Sequence, residues 1–165
     1  MNEENDIKRQ INRFYITLTG KFVKMKFLNI TIFILTIGIS VSSAQVAVIS
    51  NKSVKAEKIS KNEILDFYSG DVKKWEHGEP VVVFDLQERN KVKETFYEFL
   101  GKSPSRMKSI WMKKLLSGEG DPPQSLKSDE EMLKKVAETP GALGFVNNEK
   151  VNTKVKVLVV IESKE

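Results

Sequence analysis

Apolar residues in this chain fall into two patterns, short uninterrupted runs and stripes at three- and four-residue spacing, and the two alternate along the sequence. Val46 to Ile49 is a run of the first kind. After a polar link, Ser60 and Glu63 stand three apart as in a capping box, which predicts a short helix to Phe67 closed by Ser69-Gly70. Val81 to Phe84 is β-branched and uninterrupted, the pattern of a strand buried on both faces of a parallel sheet. Asp85 to Asn90 then turns into a second helix, where Val92, Phe96, Phe99 and Leu100 share one side and Gly101 offers the stop. Ser103-Pro104 supplies the cap and first residue of a third helix, and Met107, Ile110, Trp111 and Leu115 continue the stripe. Phe96 and Trp111 are accordingly predicted to be core residues.

Gly118 to Pro123 holds two glycines and two prolines in six positions, which predicts a surface loop. Ser128 and Glu131 read as a second capping box, with Met132, Leu133 and Val136 as the buried face of its helix and Thr139-Pro140-Gly141 as its end. Ala142 to Val146 and Val155 to Ile161 are two further strands joined by a polar, Asn-rich turn. The predicted order is β-α-β-α-α-α-β-β, an α/β layer architecture.

Upstream of these elements the pattern is different. Lys21, Lys24 and Lys26 precede the apolar run Phe27 to Val41, and Ser42-Ser43-Ala44 follow, the basic, apolar, small-residue order of a secretory signal. The run is 15 residues long and carries Asn29, Thr31 and Thr36, short of the roughly 20 apolar residues of a spanning helix. The expectation is a signal peptide over 25–44, cut after Ala44, with no stable membrane span afterwards and a periplasmic or secreted product. Met25-Lys26 has the form of a signal-peptide start, so 1–24 reads as an upstream extension without function and 45–165 as the working domain.

Composition narrows the chemistry. With 40% hydrophobic and 30% charged residues among 165, the chain is neither disordered nor fibrous. There is no cysteine and His77 is the only histidine, which removes disulfide frameworks, thiolate chemistry and multi-histidine metal sites. The net charge of +5 is uneven: residues 1–44 carry 6 Lys and Arg against 3 Asp and Glu, leaving 21 against 19 for residues 45–165. That balance, with no basic stripe interleaved with aromatics, does not predict a nucleic-acid partner. No nucleophile with a base and no converging carboxylate pair can be nominated, so the chain reads as a non-enzyme without cofactor or metal.

Four segments could still meet a ligand. In Glu88 to Lys93, Asn90 could cap the helix and leave the amides of Val92 and Lys93 near Arg89, Lys91 and Lys93, an anion seat. The same residues also suit an ordinary capped helix start on a solvated face, with Asp85 and Glu88 opposing the positive field. Trp75 and His77 sit beside Gly78 in a predicted turn, where a stacking aromatic and a titratable ring could contact a ligand, although a tryptophan there more often seals a core. Thr139 to Gly144 is explained by the turn it must make, and Asp129 to Glu131 by the helix dipole, since three acids in one turn do not converge on a metal.

Three stretches taken together carry a resemblance: Asp66-Phe67-Tyr68-Ser69-Gly70-Asp71-Val72-Lys73-Lys74-Trp75, the strand Val81 to Phe84, and Thr139-Pro140-Gly141-Ala142-Leu143-Gly144-Phe145-Val146. In this order they resemble the substrate-binding proteins of phosphate ABC transporters, particularly small one-lobe relatives, over about Val46 to Ile161. The resemblance implies an α/β single lobe of the type II periplasmic-binding-protein-like fold, a mixed sheet flanked by helices. It also implies binding of phosphate or a related small anion, which the helix-start reading above places on Arg89, Asn90, Lys91, Val92 and Lys93, with an ABC permease or another envelope protein as partner. Where the family carries an arginine followed by an Asp-Gly-Ser-Gly-Thr turn, this chain has Asp85 and then Glu88-Arg89-Asn90-Lys91-Val92. That departure keeps a second reading open, a ligand-free accessory or protein-interaction module of the envelope.

Overall fold

The computed structural model describes Arg13, residues 45–87 and residues 89–162. The expected upstream extension (Arg13 apart), the signal peptide with its cut after Ala44, and Glu88 lie outside the described residues. Among the described residues, no helix is long and apolar enough to cross a membrane. All the elements below belong to the unit Ser43–Glu165.

The order is β1 (Val46–Ser50), α1 (Lys61–Ser69), β2 (Val82–Leu86), α2 (Lys91–Leu100), α3 (Pro104–Leu116), β3 (Gln124–Leu126), α4 (Asp129–Glu138), β4 (Ala142–Asn147), a 3-10 turn (Asn148–Lys150) and β5 (Lys156–Ile161). The α/β class and the order of the helices are those the pattern predicts. One strand was not legible: β3 is three residues long, and its Gln124 and Ser125 are exposed. Too short for alternation to register, it exists because its backbone pairs with β2.

The five strands form one sheet in the order β3-β2-β4-β1-β5. β2 is parallel to both β3 and β4, while β1 is antiparallel to both β4 and β5, so the sheet is mixed. β1 lies inside it, and all five of its residues are buried, as a continuous apolar run between two neighbours demands. β2 departs from expectation, for Val81, Val82 and Val83 are half-buried where burial on both faces was predicted. The cause is the length of β3, which pairs only with Phe84, Asp85 and Leu86 and leaves the start of β2 without a neighbour on that side.

The helices are cut where local chemistry cuts them. Ser60 accepts from the Glu63 amide and the Glu63 carboxylate accepts from the Ser60 amide at 2.9 Å, closing the first capping box. The second box is half-formed: Ser128 accepts from the Glu131 amide at 3.2 Å, but the Glu131 carboxylate reaches the Lys127 amide at 2.7 Å. Gly141, at φ 73°, brings the chain from α4 into β4, and a Cβ there would collide with the carbonyl of Pro80. Only glycine fits that turn.

The core is centred on aromatic rings from three elements. Phe96 of α2 stacks on Phe145 of β4 at 3.9 Å with the planes 6° apart, and Tyr68 of α1 packs on Phe96 at 4.7 Å. The Tyr68 hydroxyl donates to the Phe84 carbonyl at 2.8 Å, which satisfies its one polar atom within the core. Phe96 is fully buried, as predicted. Trp111 is a correction: it is only partly buried, with its indole N–H donating to the Tyr68 carbonyl at 2.8 Å and its ring lying against Gly70. Of the predicted stripe on α3, Met107 alone is buried, and Leu115 is 47% exposed.

Candidate functional site

β2 and β3 run parallel and end together, and α2 begins just past the end of β2. In α/β sheets ligands bind at such strand ends, where backbone N–H groups of a following helix point outward. The five predicted site residues all lie here, but they face different ways. Asn90 is the helix cap, its side-chain oxygen accepting from the Lys93 amide at 2.9 Å. One of the two amides predicted to meet an anion is therefore already taken. Val92 is buried and belongs to the core. Arg89 and Lys91 are exposed. Arg89 Nε bonds Glu94 Oε1 at 3.0 Å, with side chains 76% and 48% exposed, while among the described residues Lys91 makes no ion pair.

Lys93 turns inward. Its ammonium meets Asp85 Oδ2 at 2.8 Å, with the two side chains 12% and 15% exposed, and it also donates to the Leu86 carbonyl. Tyr97, one turn further along α2, donates to the same Asp85 oxygen at 3.1 Å, and the other Asp85 oxygen accepts from the Leu86 amide at 2.8 Å. Burial raises the Tyr97 phenol well above its ordinary range, and the Asp85 charge and hydrogen bond raise it further. Tyr97 thus stays a neutral donor, so that Asp85, Lys93 and Tyr97 form a closed network at the end of β2. Sequence reasoning noted Asp85 but missed Tyr97. The signal was present in the four-residue spacing from Lys93, which puts both side chains on one helix face.

Beside this network runs a groove of about 600 Å³ between α2, α3 and the segment leading into β3. Asp85, Arg89 and Lys93 stand at one part of its wall, and Tyr97, Trp111, Met112, Leu115, Pro122 and Pro123 contribute apolar surface. Lys108 lines it from α3. The groove was not foreseen, although Lys108, Met112 and Leu115 recur at four- and three-residue spacing.

The other candidates resolve structurally. Trp75 is buried, packs edge-on to Phe67 at 4.8 Å, and donates its indole N–H to the Gly141 carbonyl at 2.9 Å. It thereby pins the Thr139 to Gly144 turn to the rest of the fold. His77 is exposed in its turn. Lys150 bridges Asp129 at 3.3 Å and Glu130 at 3.0 Å, which accounts for two of the three acids at the start of α4. Among the described residues no cluster of three or more His, Asp or Glu side chains could hold a metal ion.

The chain matches no family model, and no curated protein matches its sequence. Its fold is shared with solved substrate-binding proteins of phosphate transport. A phosphate ABC transporter substrate-binding protein of Clostridium perfringens, solved with bound phosphate, superposes with a TM-score of 0.58 at 17% identity, over 70% of this chain and 45% of that one. An ABC-type phosphate transport receptor of Vibrio cholerae gives 0.54 at 15%, over 70% and 46%. The phosphate-transport protein PstS of Borrelia burgdorferi gives 0.51 at 12%, over 70% and 47%. The described domain has the fold of a single lobe of such a protein, and the chain spans less than half the length of these structures.

Proposed function

We propose that the chain is a secreted, single-lobe substrate-binding-protein-like module that takes phosphate or a related small anion at the start of α2. The observation that carries this reading is the position of Arg89 and Lys91, two exposed cations at the helix start beyond β2, in a fold shared with phosphate-transport binding proteins. In this reading Asn90 fixes the helix start and the Val92 amide contributes to the N-terminal field, while Lys93 stays paired with Asp85 behind the seat. The Arg89–Glu94 pair is exposed, worth about 1 kcal/mol at most, so an anion can displace Glu94. An ABC permease or another envelope protein is the partner that would receive the loaded module.

A single lobe offers one surface, leaves the anion partly hydrated and binds weakly. Affinity in the millimolar to high-micromolar range corresponds to roughly −4 to −6 kcal/mol. Phosphate titration with amide shift mapping tests the proposal, with Arg89→Ala and Lys91→Ala beside the native chain. Shifts at residues 89–93 that saturate in this range and weaken in both variants support it. No shift there at about 10 mM phosphate overturns it.

One observation favours a second reading. Lys93, the most buried of the cations, is already neutralised by Asp85, as expected if the lobe has lost its ligand and serves as an accessory or protein-interaction module. The same titration separates the two.

A further inference from the structure

We infer that the groove beside the anion seat takes the apolar body of an organic anion, so that the preferred ligand is a short-chain phosphate monoester and not inorganic phosphate. This rests on the anion-binding reading and specifies its ligand. The first argument is size. At about 600 Å³ the groove has the volume of about twenty waters, and it falls within the range of pockets that hold small organic ligands. A tetrahedral oxyanion would leave most of it empty.

The second argument is the lining. Met112 and Leu115 are 48% and 47% exposed on the groove side of α3. Met107 and Tyr97 line the wall from within, and Pro122 and Pro123 close the side toward β3. Apolar side chains at a groove that ends in charge suit a ligand that is apolar along its length and charged at one end.

The third argument is the sign of that charge. Arg89, Lys93 and Lys108 line the groove, and among the described lining residues Asp85 is the only acid. Its carboxylate is held by Lys93, Tyr97 and the Leu86 amide, which leaves Lys108 and, once the exposed Glu94 is displaced from it, Arg89 to set the field toward the ligand. Among the described residues Lys108 makes no ion pair. An anionic head between them, with the alkyl chain along Tyr97, Trp111, Met112 and Leu115, satisfies both the charge and the apolar surface. A cationic amphiphile of the same length satisfies only one.

The test is a titration series by amide shift mapping with inorganic phosphate, methyl phosphate, butyl phosphate and hexyl phosphate, kept below micelle-forming concentrations, and hexylamine as the cationic control. Affinity should rise about twofold to fourfold per added methylene, with shifts spreading from Arg89 to Tyr97, Met112 and Leu115. Leu115→Gln, an exposed position that leaves the core intact and adds no charge, should abolish the chain-length dependence while inorganic phosphate binds as before. Leu116→Gln, more exposed and outside the groove, should leave that dependence in place. Equal affinity along the series would overturn the inference and leave phosphate binding standing. Loss of every shift, inorganic phosphate included, would remove both. Equal binding of hexylamine, or ligand-free self-association that buries Met112 and Leu115, would also overturn it.

Discussion

The side chain on which most of the site depends is Lys93. It sits with Asp85 at 2.8 Å, both largely out of water, and breaking such a pair from one side leaves an uncompensated buried charge. Lys93→Ala is therefore expected to lose about 3 kcal/mol in urea unfolding, whereas Lys91→Ala, exposed and unpaired among the described residues, should change stability by less than about 0.5 kcal/mol. A Lys93 variant as stable as the parent would show that its ammonium is free for a ligand. Acid should act at a different place. The Lys150 hydrogen bond holds the Glu130 carboxyl down to about 2, and hydrogen bonds from Lys114 and then Ser69 lower Asp71. Groups depressed by folding stabilise above their unfolded values near 4 and lose that contribution as pH falls through the folded ones. Stability should therefore fall between about pH 4 and pH 2, and Glu130→Gln should flatten part of that fall when unfolding is followed against pH.

At the level of elements, α2 and α3 separate what the apolar stripe treated as one. Phe96 is enclosed by Tyr68 and Phe145, so Phe96→Ala should cost about 3–5 kcal/mol. Trp111 is half-buried at the groove, and Trp111→Ala should cost distinctly less, about 1–3 kcal/mol, measured in the same denaturant series. Equal losses would mean that α3 is as deeply packed as α2. The contrast also marks where sequence stops being informative. Caps, stops and the order of the helices were legible because Ser60, Asn90, Ser103 and Ser128 act on residues three positions away. The depth of α3 was not, because three- and four-residue spacing fixes which residues share a face and not whether a neighbour covers it. β3 and the half-buried start of β2 escaped for a related reason: each depends on a partner strand some 40 residues distant in the chain. The closed Asp85–Lys93–Tyr97 network likewise needs β2 and α2 brought together before three unremarkable polar residues become one feature.

Across the described domain the fold is that of one lobe, and its most protected part is expected where β1 lies between β4 and β5. Asn51 reinforces that centre from the end of β1, donating to the Val136 and Ala137 carbonyls at 2.8 Å each and so tying off the last turn of α4. Hydrogen exchange should show Val48 and Phe145 opening only with global unfolding, while amides of β3 and the outer face of α3 exchange by local opening. Protection in β3 equal to that in β1 would contradict this ranking. The position of β1 also sets an order of events. Its neighbours are Ala142–Asn147 and Lys156–Ile161, so the first strand of the domain waits for the last two, and closing that long loop comes before any of the central pairing is gained. A chain still being synthesised, or threaded through a pore from its N-terminal end, carries Val46 to Ser50 without either partner until residues 142–161 begin to emerge. The central sheet of the domain is therefore expected to be completed only once both of these strands are available.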